Sequence, residues 1–184
     1  MRAQADNERL LGAFPKGFAL DATHHAHVSV LQRHVRTAEL ESIYDAASNV
    51  MRSANPLSWK LEAFKYYYIP DPPIGLAGIV VRSTPELLDL QQKLIDAVAP
   101  FTVRTGSAAA FFTTPEEPNI NQPTIDYIAA FVPEATGVHF NPHVTIGVGT
   151  VDYLNKLLAE PFNDFCVLAG GGISLSARQL WNGT

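Results

Sequence analysis

The sequence predicts an α+β fold of two similar lobes, each an antiparallel sheet with helices outside, meeting at a central cleft. Three observations carry this expectation. The phrase strand, helix, strand, strand occurs twice, opening at His27-Val28-Ser29-Val30 and again at His143-Val144-Thr145-Ile146, 116 residues later. Repetition of a supersecondary unit is the mark of duplicated architecture. Apolar residues alternate with period two in some stretches and recur at three and four in others, so strands and helices interleave. A chain of 184 residues with 47% hydrophobic content also buries roughly 70% of its unfolded surface without disulfide or metal staples. The expected arrangement is one domain over 1–184, with motif lobes at about 26–82 and 140–181 and an inter-lobe segment at 83–139.

The elements follow in order. Gln4 to Leu11 reads as a short helix ended by Gly12 and Pro15. Ala26 to Val35 alternates and is rich in β-branched residues, which predicts a strand. Thr37 caps a helix running to about Ser53, with Leu40, Ile43, Tyr44, Ala47, Val50 and Met51 on one face. Two strand-like runs follow the Asn55-Pro56 break, "LEAFKYYYI" and "GLAGIVVR", separated by the turn-forming "PDPPIG". Thr84-Pro85 opens a second helix with Leu87, Leu90, Leu94, Ile95 and Val98 inward. Pro100 to Asn121 is irregular, and so long a connection in a compact domain signals a functional loop or a missed element. Pro123 starts a helix through Phe131, and His143 to Gly149 forms a strand. Thr150 then caps a helix with Val151, Leu154, Leu157 and Leu158 inward. "FCVLAGGGISLSARQL" closes as a hairpin turning at Gly170-Gly171-Gly172, which lacks the Lys-Ser/Thr ending of a phosphate-binding loop.

Composition narrows the function classes. Thirteen Lys and Arg against 18 Asp and Glu give a net charge of −5. With no basic stripe, long nucleic acid is a poor partner, whereas a local pocket for one small anion is compatible with an acidic protein. The longest apolar stretches, such as Gly75 to Val81, are far shorter than the ~20 residues of a membrane span. The single Cys166 rules out an intrachain disulfide and a multi-cysteine zinc site, and its apolar surroundings read as an inert buried thiol. Met1 to Leu10 is polar and lacks the apolar run of a signal peptide, so a cytoplasmic protein is the default and a trimmed exported form the alternative.

The duplicated motif carries the chemistry. On a strand, residues i and i+2 share a face. His27 and Ser29 therefore point one way, as do His143 and Thr145, while Val28, Val30, Val144 and Ile146 pack against helices on the other side. Two imidazoles with an ordinary pKa near 6.5 divide acid and base roles at neutral pH. Two hydroxyls suit the oxygens of a phosphoryl group. Such a set fits cleavage of a phosphodiester without a metal. Around it, Tyr66 and Tyr68 could stack a base, Phe140 could line the cleft, and Arg33 shares the face of His27 and Ser29. His24, His25 and His139 invite a metal reading, but zinc sites usually recruit carboxylates or cysteines at set spacing, and loop histidines are the simpler reading. His34 alternates away from the motif and reads as ordinary surface.

"HVSVLQ" and "FNPHVTIGVG" resemble the paired His-x-Ser/Thr signatures of the two-histidine (2H) phosphoesterase superfamily, which includes RNA 2′-5′ ligase-like proteins and cyclic phosphodiesterases. The resemblance extends from about Gly17 to Thr184, although family members open on a strand where this chain opens on a helix. It implies a bilobal fold, metal-independent catalysis with no cofactor, His27 and His143 as the acid–base pair, and Ser29 and Thr145 as phosphate-holding hydroxyls. The expected substrate is a small nucleotide or RNA end bearing a cyclic phosphate, handled by a monomer that engages no membrane. A 2′-5′ RNA ligase and a non-catalytic nucleotide or RNA-end binding module are the alternatives.

Overall fold

The computed structural model describes residues 2–22, 24–111, 113 and 119–168. In chain order its elements are α1 (Arg2–Ala13), β1 (His34–Val35), α2 (Leu40–Ala54), β2 (Lys60–Asp71), β3 (Ile74–Val81), α3 (Pro85–Val98), β4 (Thr102–Val103), α4 (Gln122–Ala135), β5 (His143–Thr150), α5 (Val151–Ala159) and β6 (Phe165–Leu168). This is an α+β fold with antiparallel sheets. No helix among the described residues is long and apolar enough to cross a membrane.

The described residues form two compact units. The first comprises the described parts of Met1–Ser29, Pro56–Arg82 and Asn141–Ile173. Its four-stranded sheet has the order β5-β3-β2-β6, so the β2–β3 hairpin lies inside and β5 joins it from far along the chain. Strands expected in separate lobes thus share one sheet. One face of that sheet packs against α1 and α5, where Leu10, Tyr66, Ala77, Ile79, Ile146 and Leu154 form the core. Gly75 and Gly149 are cross-strand partners. The space left by their two missing Cβ atoms is filled by Leu154, whose methyl carbons lie 3.0 Å from both ideal Cβ positions.

The second unit comprises, of the described residues, Val30–Asn55 and Ser83–Phe140. Helices α2 and α3 pack together through Ile43 and Ala47 on one and Leu87, Leu90, Leu94 and Val98 on the other. The Thr84 hydroxyl accepts from Leu87 N–H at 3.2 Å and starts α3 where the sequence places it. Phe111, Ile125 and Ile128 form a second cluster around α4, and β1 pairs with β4.

Several expectations are corrected. The Ala26–Val35 strand resolves into an isolated bridge at Val28 and the two-residue β1. The Val30 carbonyl is taken by the buried Gln91 side chain at 2.9 Å, so a ladder partner is not what satisfies it. Thr37 opens a 3₁₀ turn, and α2 begins at Leu40. His34, expected on the surface, is 5% exposed. Its Nε2 donates to the Ile125 carbonyl at 3.2 Å, and its ring lies against Phe111 and the bare Cα of Gly106. Helix α4 runs beyond Phe131 and contains Pro133. Leu158 is exposed, because α5 turns only Leu154 and Leu157 fully inward. Cys166, expected to be buried, is exposed. The Gly170–Gly172 turn lies outside the described residues.

Leu154 is fully buried over the glycine pair. Leu154→Ala is expected to cost about 2–5 kcal/mol through lost burial and a residual cavity, read as a lower midpoint in urea denaturation.

Candidate active site

All four motif residues lie in the first unit. Val28 and Val144 form an antiparallel bridge, so the two motifs run past each other head to tail. The sense of that bridge puts His27 on the Thr145 side and Ser29 on the His143 side. Diagonal positions across such a pair are roughly 7–8 Å apart, and His27 is near enough for its charge to act on His143. Val144 and Ile146 turn to the core, as the alternation predicts. His27 is exposed, and His143, Ser29 and Thr145 are half-buried.

The two histidines repeat one local device. His27 Nδ1 lies 2.8 Å from the His25 carbonyl oxygen, and His143 Nδ1 lies 2.7 Å from that of Asn141. A carbonyl oxygen only accepts, so both Nδ1 atoms carry the proton and donate it. Each ring is thereby held in the tautomer that leaves Nε2 for chemistry. Burial pushes His143 below the ordinary histidine value of 6.5; its bond to Asn141 acts the other way, and the nearby His27 charge lowers it further. His143 is therefore suited to be neutral, with Nε2 as a proton acceptor, at pH 7.

A bulge in β5 shapes the second motif. Thr145 pairs with Gly78 and Gly147 with Ala77, which leaves Ile146 without a ladder partner. Gly147 takes φ +143°, a conformation L side chains rarely adopt. The Ile146 carbonyl accepts from the buried Asn7 side chain at 2.9 Å. The same amide donates to the Phe18 carbonyl at 2.9 Å, and its oxygen accepts from Leu20 N–H at 2.8 Å. Asn7 thus ties the bulge beside Thr145 to the segment leading into His27.

The two candidate tyrosines lie on the other face of the sheet. Tyr66 lies in the core on the face away from the motifs, with its hydroxyl donating to Asp6 Oδ2 at 3.0 Å and accepting from Arg2 at 2.6 Å. Tyr68 packs against the same core and donates to Asn155 at 2.9 Å. The ring beside the site is Tyr67, whose centroid is 4.8 Å from that of His143. Alternation separates Tyr67 from its two neighbours, but only the β2–β3–β5 register says which set faces the histidines. Phe140 and Arg33 belong to the second unit. Arg33 Nε is buried without a hydrogen-bond partner among the described residues. His24 and Asp21 are joined through the His24 N–H at 2.9 Å. Among the described residues, no three His, Cys, Asp or Glu side chains come together as a metal-ligand set.

Two outcomes are expected. An NMR titration finds the His143 midpoint below 6.5. Because the folded value lies below the unfolded one, His143's contribution to stability is complete above the unfolded pKa and falls as pH drops through the folded one. Asn7→Leu keeps the volume but strands two carbonyls and one N–H, and is expected to lower the stability read by urea denaturation by about 2–4 kcal/mol. No protein-family model, curated protein or solved structure matches this chain, so the geometry of these residues carries the functional reading.

Proposed function

We propose that the protein is a metal-independent phosphodiesterase that hydrolyses a cyclic phosphate on a nucleotide or RNA end, by the two-histidine chemistry its motifs resemble. The observation that carries the reading is the pair of His-x-Ser/Thr motifs set antiparallel by the Val28–Val144 bridge, each imidazole tethered through Nδ1 to the carbonyl two residues before it. Acid–base work needs one Nε2 bare and the other protonated, and both tethers hold Nδ1 and leave Nε2 available.

Roles follow from the surroundings. His143, held below the ordinary histidine range, takes a proton from water as the water oxygen bonds to phosphorus. The phosphorus–oxygen bond to one ribose oxygen breaks, and His27 Nε2–H delivers its proton to that leaving oxygen. The products are a phosphate monoester and a free hydroxyl, with one proton moved from His27 to the ribose and one from water to His143. Ser29 and Thr145 donate to the non-bridging oxygens as charge builds there.

The experiment is incubation with 2′,3′-cyclic nucleotides in EDTA, with monophosphate as the readout. Turnover is expected to survive EDTA and to fall by about 10²–10⁴-fold in each of His27→Ala and His143→Ala. Loss of turnover in EDTA would replace this reading with a metal-dependent one. Binding without turnover would make the protein a nucleotide-binding module.

A further inference from the structure

Tyr67 and Gly78 are direct partners across β2 and β3, and Gly78 is in turn the partner of Thr145 on β5. Tyr67, Gly78 and Thr145 therefore form one row across the sheet, on the face that carries His143. The Tyr67 ring lies over Gly78, where a Cβ would collide with Cε1 of the ring. From there it meets the His143 imidazole edge to face, at a centroid distance of 4.8 Å and an interplanar angle of 63°. A tyrosine on β2 thus reaches across one intervening strand to β5, because the residue between them has no side chain.

We infer that Tyr67, seated over Gly78, is the positioning residue of His143, holding the imidazole with its Nε2 toward the motif face. Its catalytic meaning rests on the two-histidine reading; its effect on the ring does not. The Asn141 carbonyl fixes one end of the ring through Nδ1, which leaves rotation about that anchor. The Tyr67 ring, packed against the imidazole, blocks that rotation and keeps water from one side of it. Burial disfavours the charged ring, so the same contact keeps His143 in the neutral form a base requires. Among the described residues, the titratable and charged groups that the strand register puts on its side are His27 across the bridge, Tyr67 itself, Lys65 at the adjoining row of β2, and Arg82 beyond the end of β3, which pairs with Glu62 and Asp164. None of these replaces the tyrosine ring as a source of burial.

The test is an NMR titration of the histidine side chains in the full chain and in Tyr67→Ala, Tyr67→Phe and Gly78→Ala. The His143 signals are assigned by their loss in His143→Asn. Tyr67→Ala and Gly78→Ala, one removing the ring and the other displacing it, are each expected to raise the His143 midpoint by about 0.5 or more toward the ordinary histidine value. Tyr67→Phe, which keeps the ring, is expected to titrate like the parent. The acidic limb of the cyclic-phosphate pH–rate profile should move with the midpoint. Dispersion of the backbone amide signals reports unfolding of the unit that carries His143. If Tyr67→Ala does not fold, Gly78→Ala decides the matter with the tyrosine in place. An unmoved midpoint in the folded variants overturns the positioning role. A moved midpoint with no hydrolysis in any form upholds that role and overturns the enzyme instead.

Discussion

Asn7 makes the hydrogen bonds on which the motif-bearing unit depends. The side chain is 3% exposed and its amide is fully engaged, with two donors on the Phe18 and Ile146 carbonyls and the oxygen on Leu20 N–H. Removing such a group strands its partners, and a buried polar atom left unpaired costs more than the bond was worth. The bulge at Ile146 needs this amide, because the carbonyl it frees has no strand to answer it. The chain entering the first motif needs it too, because the Phe18–Leu20 loop takes two of the three bonds. A helix remote in sequence from both histidines thus sets where both motif segments run.

From that anchor the site is built by ordinary sheet geometry. The bulge changes the register of β5 between Ala77 and Gly78 and frees the Ile146 carbonyl for Asn7, while alternation keeps Thr145 on the face of His143. The missing side chain at Gly78 lets Tyr67 lie over β3 and touch His143. At the other end of the strands, the Gly75–Gly149 pair admits Leu154 and draws α5 onto the sheet. Each glycine acts here by what it omits. Two backbone carbonyls, from His25 and Asn141, determine which nitrogen of each imidazole is presented.

Much of this is visible in the sequence. Helices α1, α2, α3 and α5, the β2–β3 hairpin and β5 fall close to where periodicity and turn residues put them, because each buries an apolar face at its own period. Thr84 and Thr150 cap the helices that follow them. The two motifs stand out because a duplicated His-x-Ser/Thr pattern is rarer than either copy. What the sequence hides is long-range pairing. The Ala26–Val35 run has every local property of a strand, yet its Val28 finds a single bridge and its Val30 carbonyl goes to a glutamine. His34 looks like a surface residue until β1 meets β4 and Phe111 covers it.

Residue order alone settled the α+β class and the helix starts marked by Thr84 and Thr150, since these depend on neighbours within a few positions. Folding had to settle which strands adjoin, and with it that β5 enters the sheet of the β2–β3 hairpin and not a separate one. It also chose among the three consecutive tyrosines. Alternation groups Tyr66 with Tyr68 against Tyr67, but two faces related by a one-residue step look alike along a single strand. The choice is made by α1 and α5, which bury one face and leave Tyr67 with the histidines.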